Sequence, residues 1–347
     1  MKLNFCTLFN SAYLSRGIVL YESLVKHCPD FHLYVFAFDD KTFQYLSQAK
    51  YQYLTPISLR DFEDDKLLAI KSTRSAAEYC WTCTPSTILY CLTKFNLANC
   101  TYIDADMCFY SDPNILVEEM NGKSVLITEH RYTSKYDQTL KSGKYCVQFI
   151  TAFNNAEGLN VINWWRESCI EWCYARHEDG KFGDQKYLDV WPTKFKGVHE
   201  LIHLGGGMAP WNCQQYNFTI SNGNLFGTEL TSKKQFDAVF FHFHSLKFFD
   251  DDMVLLTDPG YDLNSNAIEL VFKPYVRSLM SVKEKIQRTD NSFNPNGSAG
   301  IAPYGEMSIG TIIRYYLNGI KSSKKNLLGA GLISKVKHHY FFKATTI

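Results

Sequence analysis

Apolar residues come along this chain in short continuous runs separated by stretches of helical spacing, and the order of the two predicts the architecture. Leu3–Phe9 reads as a first buried strand. Residues 10–15 are a polar loop, and residues 17–26 carry Ile18, Leu20, Tyr21, Leu24 and Val25 at helical spacing. Residues 32–38 form a second strand, stopped by Asp39 and Asp40. Thr84 is the expected N-cap of the next helix, with Pro85 at its first position and Ile88, Leu89, Leu92 and Phe95 on one apolar face. That helix leads into Thr101, Tyr102 and Ile103, a strand that runs out at Asp104. Residues 125–128 are a further strand, and residues 155–175 a long amphipathic helix carrying Trp164, Trp165, Ile170 and Trp172. Strands alternating with helices predict an α/β protein, its mostly parallel central sheet covered by helices on both faces. In such sheets ligands gather beyond the carboxyl ends of the strands, where residues 10–13, Asp39 and residues 104–106 all fall.

Past about residue 258 the pattern changes, so the chain is divided into residues 1–258 and a C-terminal helical extension, residues 259–347. Residues 264–284 are expected to be helical in part, with a break or kink at Pro274. Residues 289–303 are a Ser/Asn/Gly/Pro-rich linker. Ile309, Ile312, Ile313, Tyr316, Leu317 and Ile320 then repeat at helical spacing. The tail that follows carries Lys321, Lys324, Lys325, Lys335, Lys337 and Lys343, with Tyr340, Phe341 and Phe342 among them and no acidic residue after Glu306. Basic, aromatic and amphipathic together is what a peripheral membrane segment needs; a solvated basic helix packed on the core would look the same.

Composition narrows the function classes. At 347 residues the chain can bury a substantial core, and its net charge of +1 argues against a nucleic-acid partner. The stretch from Met1 turns polar at Asn10, too soon for an export signal, and no apolar run is long enough to span a bilayer. Eleven cysteines, an odd number, then fit small buried side chains in a reducing cytoplasm. Cys80 and Cys83 have redox-motif spacing, but no second pair completes a zinc site.

Four groups of residues carry candidate chemistry. If the strand is still extended at Asp104, then Asp104 and Asp106 point to the same side and would repel each other unless something positive lies between them. Oxygen ligands of this kind suit a hard divalent cation, Mg2+ or Mn2+; the plainer alternative is an Asp-rich turn. Residues 240–247 alternate like a strand, placing His242 and His244 on one face, where an imidazole could complete a metal site and Lys247 could meet phosphate. Asp184 and Gln185 stand where a helix starts, either as an ordinary cap or as an acid/amide pair able to hold a sugar. The run Gly205-Gly206-Gly207 would let the backbone approach a ligand closely, or form a surface turn; it is not a P-loop, having no Gly-Lys-Ser/Thr.

Taken in order, the strand-one loop, Arg74 and Glu78, Tyr-Ile-Asp-Ala-Asp (102–106), Phe-Gly-Asp-Gln-Lys-Tyr-Leu (182–188), the Gly-rich run into Ala-Pro-Trp-Asn (209–212) and His-Phe-His-Ser-Leu-Lys (242–247) resemble one family. Over about residues 1–250 the chain is similar to the GT-A-fold, metal-dependent glycosyltransferases that use nucleotide-diphosphate sugars, in arrangement nearest to glycosyltransferase family 8 and its bacterial relatives. The resemblance implies that Asp104, Asp106 and His242 or His244 hold Mn2+ or Mg2+ against the donor diphosphate. His242 fits the family's His-x-x-Gly best, although Ser245 replaces the glycine and Lys247 comes one residue early for the diphosphate lysine. It further implies that Asp184 and Gln185 line the sugar and acceptor pocket and act at the reacting carbon. Thr7, Asn10 and Tyr13 would hold the nucleoside, Asp39 the base, and Arg74 the phosphates or sugar, with Gly206 beside the donor. The partners the resemblance implies are a nucleotide-diphosphate sugar, specifically a UDP-sugar, and a glycan or lipid-linked acceptor, with retention of anomeric configuration. Against a HAD-type phosphatase stand Met107 after the second aspartate and the mid-chain position of the motif. Against a sugar nucleotidyltransferase stands the loop at residues 10–16, which is not Gly-rich and basic. A catalytically inactive nucleotide-sugar-binding or scaffold protein is the non-enzyme alternative, opposed by the intact Asp104, Asp106 and Asp184.

Overall fold

The computed structural model describes residues 1–302 and 340–347. Its centre is a seven-stranded sheet made of β1 (Leu3–Phe9), β2 (Phe31–Ala37), β3 (Leu54–Ser58), β4 (Asn99–Ile103), β6 (Val125–Glu129), β7 (Tyr145–Phe153) and β8 (Val198–Glu200), in the order β3-β2-β1-β4-β7-β6-β8. Strands β3, β2, β1 and β4 pair in parallel, β7 runs antiparallel to both of its neighbours, and β8 is parallel to β6. The sheet is the mostly parallel α/β one expected. Alternate residues along each strand enter two different cores: Phe5, Leu33, Val35 and Phe149 face one, and Cys6, Tyr34, Phe36 and Ile150 the other. Burial on both faces explains why these strands read as continuous apolar runs. The helices Leu14–His27 and Lys273–Thr289 cover the first face, and Ala76–Lys94 and Ala156–Glu171 the second.

Smaller strands extend this body. The antiparallel set β9 (Tyr216–Ser221), β10 (Asn224–Glu229) and β11 (Gln235–Asp237) follows the glycine run. Strand β12 (Phe240–His242) then pairs antiparallel with β5 (Met107–Phe109), opposing His242 to Met107. Strands β13 (Lys247–Phe248), β14 (Met253–Leu255) and β15 (Phe341–Lys343) form the last sheet.

Several boundaries differ from the sequence pattern, each for a local reason. The third long helix starts at Ala76, not at Thr84: Ser75 and Glu78 form a reciprocal capping box, and Pro85 is carried inside the helix. The following Trp-rich helix, expected over residues 155–175, runs over Ala156–Glu171 with Asn155 as its cap. Residues 265–289 are helical as expected, and the break expected at Pro274 takes the form of a π-helical turn, Ile268–Phe272, between Ser265–Ala267 and the α-helix Lys273–Thr289. Strand β12 ends at His242, and Ser245 takes a left-handed conformation with φ of 64°. The sequence pattern passed over β7, which is buried on both faces along nearly its whole length and so has no apolar/polar period to announce it. The helical repeat from Ile309 and the lysines from Lys321 to Lys337 lie outside the described residues. Of the tail aromatics, Phe341 is buried in β15 against Met253 and Leu255, and the Tyr340 hydroxyl accepts from the Leu263 N–H at 2.9 Å. Among the described residues no helix is long and apolar enough to cross a membrane.

Candidate functional site

Parallel pairing brings the ends of β1, β2 and β4 to one edge of the sheet. Phe9 opposes Ala37, and Cys6 opposes Tyr102, so the chain leaves the sheet at Asn10, Phe38 and Asp104 on the same side. Asp39 ties two of these exits together. Its Oδ2 accepts from the Ser11 N–H at 2.8 Å and hydroxyl at 2.7 Å, while Oδ1 caps the helix Asp40–Ala49 through the Thr42 N–H at 2.8 Å. Burial opposes the Asp39 charge, but these three donors and the Thr42 hydroxyl at 2.6 Å outweigh it and hold the carboxyl below its ordinary range.

At the third exit Asp104 and Asp106 meet His242. The antiparallel β5–β12 pairing carries the histidine there, and the Phe243 N–H donates to the Asp106 carbonyl at 2.9 Å. His242 Nε2 lies 3.2 Å from Asp106 Oδ1 and 3.7 Å from Asp104 Oδ2. The far side of the cluster is fixed by neighbours. Tyr102 donates its hydroxyl to Asp104 Oδ1 at 2.9 Å, and His242 Nδ1 is 2.8 Å from Gln148 Oε1 on β7. Gln148 is fully buried and His242 is 5% exposed, so an amide oxygen can only accept from Nδ1–H there, which aims Nε2 at the carboxylates. Burial works against the Asp106 charge, yet the charge and hydrogen bond of His242 prevail and hold it down at about 2. Burial and the neighbouring Asp106 raise Asp104, although His242 pulls the other way. Burial would strip His242 of its proton, but Asp106 and then Asp104 push it well above the ordinary imidazole range. A proton on Nε2 and a divalent cation would therefore occupy the same space.

Asp184 approaches the cluster from the other core. It is 3% exposed, its Oδ2 has no hydrogen-bond partner, and burial followed by the Asp104 charge pushes it up to about 7. Its carbonyl accepts from Trp165 Nε1 at 2.8 Å, which locks its backbone to the Trp-rich helix. Asp184 begins a short 3-10 helix but its side chain caps nothing, so the ordinary-cap alternative does not describe it. Gln185 next to it donates to the Ser142 carbonyl at 2.7 Å.

The other candidates are placed as follows. Thr7 is buried on β1 with its hydroxyl unpartnered, Asn10 is exposed, and Tyr13 is close enough to feel the charges of Asp106 and Asp104. The His244 ring stands 5.7 Å from that of His242, but the group whose ligand atoms lie within 4.8 Å of one another is Asp104, Asp106 and His242. Lys247 is exposed on β13. Arg74 is held by the Tyr174 hydroxyl and by the Ile170 carbonyl at 3.1 Å, with its guanidinium over the Tyr174 ring. The glycine run is packed within the protein: a Cβ on Gly206 would come within 2.5 Å of Leu201, and one on Gly205 within 1.8 Å of the Asp237 carbonyl. Close approach is what these glycines supply, to the chain's own interior.

Two contributors escaped the sequence reading. Gln148 lies mid-strand with no motif around it. Arg16, buried in the first turn of Leu14–His27, donates to the carbonyls of Leu246 at 3.0 Å and Asn296 at 2.9 Å, stacks on Tyr13 at 4.3 Å and lends positive charge to Asp106. Only its place one turn after the strand-one loop could have signalled it.

A mostly parallel sheet with two carboxylates and an imidazole converging beyond its carboxyl edge defines an α/β protein with a candidate divalent-cation centre. The chain belongs to the family of the protein YfnD of Bacillus subtilis (strain 168), described as uncharacterized, to which it is 30% identical over 298 residues, 82% of this chain and 91% of the relative. YfnF of the same organism, likewise described as uncharacterized, is 27% identical over 307 residues, 85% of this chain and 97% of the relative. No family model matches the chain. Solved structures similar to it include mouse xyloside xylosyltransferase 1 in its apo form (TM-score 0.42, 10% identity, 60% of this chain and 87% of that one). Another is the galactosyltransferase LgtC in complex with donor and acceptor sugar analogs (TM-score 0.41, 12% identity, 60% of this chain and 76% of that one). Both likenesses are partial.

Proposed function

We propose that this chain is a GT-A-type glycosyltransferase that moves a sugar from a nucleotide-diphosphate sugar, a UDP-sugar by the family resemblance, to a glycan or glycolipid acceptor with retention. The observation that carries this reading is the convergence of Asp104, Asp106 and His242, with the buried Asp184, whose Oδ2 is unpartnered, electrostatically coupled to Asp104, at the carboxyl edge of the sheet.

The donor set fits Mn2+ or Mg2+. Adjacent ligands of an octahedral ion held at about 2.1 Å stand about 3 Å apart, and the imidazole-to-carboxylate separations of 3.2 and 3.7 Å need only a small contraction. Gln148 leaves Nε2 facing the carboxylates, as a metal-binding tautomer requires. When bound, such an ion neutralises charge that develops on the leaving diphosphate.

In the transfer the anomeric C–O bond to the diphosphate breaks and the electron pair departs with the nucleoside diphosphate. The acceptor hydroxyl oxygen bonds to the same carbon, and its proton goes to the leaving phosphate oxygen. Asp184 and Gln185 are proposed to stand against the sugar, where a carboxylate favours positive charge on the anomeric carbon. Lys247 is proposed to meet the diphosphate after a side-chain swing, and Thr7, Asn10 and Tyr13 to hold the nucleoside. Asp39 serves that loop by fixing Ser11. Arg74 and Gly206 would need to leave their present partners to touch a donor. The lysine-rich stretch from Lys321 is proposed to bring the protein to an anionic membrane surface, which would suit a lipid-linked acceptor.

The test is release of nucleotide from a panel of nucleotide sugars with Mn2+. Wild type is expected to turn over one of them, and Asp106→Ala or a chelator to cut the rate at least a hundredfold. Turnover that survives both would sink the metal-site reading.

A further inference from the structure

A cavity of about 410 Å3 opens beside the cluster, lined by Tyr136, Asp137, Gln138, His244, Asp258 and Tyr261. It shares a wall with the candidate metal centre. Trp211 packs at 5.5 Å from both His242 and His244, and Trp211, Tyr136 and Tyr261 belong to one apolar cluster. The volume lies within the range of small-molecule sites.

The lining is unusual in its charge. Lys135, the one cation among the described lining residues, is matched by Asp262 at 2.6 Å. That leaves Asp137 and Asp258, each using one oxygen on a nearby backbone N–H: Thr139 at 2.8 Å and Gly260 at 2.7 Å. Their other oxygens can accept hydrogen bonds from hydroxyl or ammonium groups. Tyr136 and Tyr261, set edge to face at 5.3 Å, add apolar ring surface, and Gln138 Nε2 donates to the Tyr261 hydroxyl at 3.1 Å, leaving the Gln138 amide oxygen as a further acceptor. Such a lining favours a ligand rich in hydroxyl donors and repels a second negative charge.

We propose that this cavity is the acceptor subsite, and that it takes an uncharged or amino-bearing saccharide and rejects phosphorylated and uronic ones. The proposal rests on the glycosyl-transfer reading above, and adds to it the chemical class of the acceptor ring and the residues that choose it. His244 then stands at the junction, between the metal centre and the acceptor.

The experiment uses the full chain with Mn2+ and the donor that it turns over. Acceptors are methyl glycosides of glucose, galactose and N-acetylglucosamine, then glucosamine, glucose 6-phosphate and glucuronic acid, with product followed by mass spectrometry. Neutral or amino-bearing members are expected to exceed the anionic ones at least tenfold in kcat/KM. Asp258→Lys, a change at an exposed position, is expected to erase or invert that preference and to raise the KM for the favoured acceptor at least tenfold. Tyr261→Leu is expected to raise the same KM, and UDP–Mn2+ affinity by calorimetry reports whether either variant is folded. Preference for the anionic sugars, an acceptor KM indifferent to both substitutions, or donor turnover with no neutral or amino-bearing acceptor used would each overturn the subsite. Absence of Mn2+-dependent nucleotide release from any donor in wild type would instead overturn the glycosyl-transfer reading on which it stands.

Discussion

Gln148 and Asp184 show how single side chains set the chemistry of this site. Gln148 Oε1 can only accept, so its 2.8 Å contact keeps the proton of a neutral His242 on Nδ1 and presents Nε2 to Asp104 and Asp106. Replacing it with leucine keeps the volume but frees the ring, and Mn2+ affinity of the Gln148→Leu protein is expected to fall about 10- to 100-fold. The readout is free Mn2+ by electron paramagnetic resonance, and unchanged affinity would remove Gln148 from the site. Asp184 works against stability. Its folded-state value of about 7 lies above the ordinary carboxyl range, so below about pH 4 both folded and unfolded chains carry the proton and nothing is lost. Between about pH 4 and 7 the unfolded chain ionises first, and the penalty grows until it levels off above pH 7, on the order of 4 kcal/mol. Asp184→Asn is therefore expected to raise the melting temperature of the metal-free protein at pH 8 more than at pH 4, while transfer is lost. Equal stabilisation at both pH values would contradict the assignment of that carboxyl.

Element by element, the site depends on where strands and helices end. The β1 loop, β2 and the helix Asp40–Ala49 meet at one carboxylate, Asp39, which satisfies donors from Ser11 and Thr42. Because its folded-state value is depressed, this stabilisation is complete above the unfolded carboxyl value of about 4 and is lost as pH falls through the lower folded value. Asp39→Asn is expected to destabilise the protein by about 1–2 kcal/mol at pH 7 and to make stability less steeply dependent on pH below 4. Denaturant unfolding at pH 7 and pH 3 checks both parts. The same logic of ends explains what the sequence pattern misplaced. Ser75 and Glu78 satisfy donors at both sides of a helix start, an arrangement that Thr84 and Pro85 cannot match, so the helix begins nine residues earlier. Pro274, by contrast, falls where the pattern expects a break, directly after the π-helical turn Ile268–Phe272.

Across the whole molecule, the chain closes on itself: β15 near its C-terminal end pairs with β14, which also pairs with β13 beside Lys247. Phe341 is thereby used inside the fold, and an attraction to membranes must rest on the lysines between residues 321 and 337. Replacing Lys321, Lys324, Lys325, Lys335 and Lys337 by glutamate is expected to abolish co-sedimentation with vesicles rich in anionic lipid, at about 1 kcal/mol for each lysine near such a surface. Binding that persists in this variant would end the membrane proposal. Legible from sequence alone were the alternation of strands and helices, the edge at which Asn10, Asp39 and Asp104 leave the sheet, and the pair Asp104 and Asp106, because period and strand ends are local properties. Tertiary structure alone decided the rest. His242 reaches the carboxylates only because β12 pairs with a three-residue strand far earlier in the chain, Gln148 faces it from an antiparallel strand with no period, and Gly206 packs against Leu116 and Leu201. Local sequence encodes how a segment folds, whereas the partner of a buried polar atom is chosen by long-range pairing, which no local pattern records.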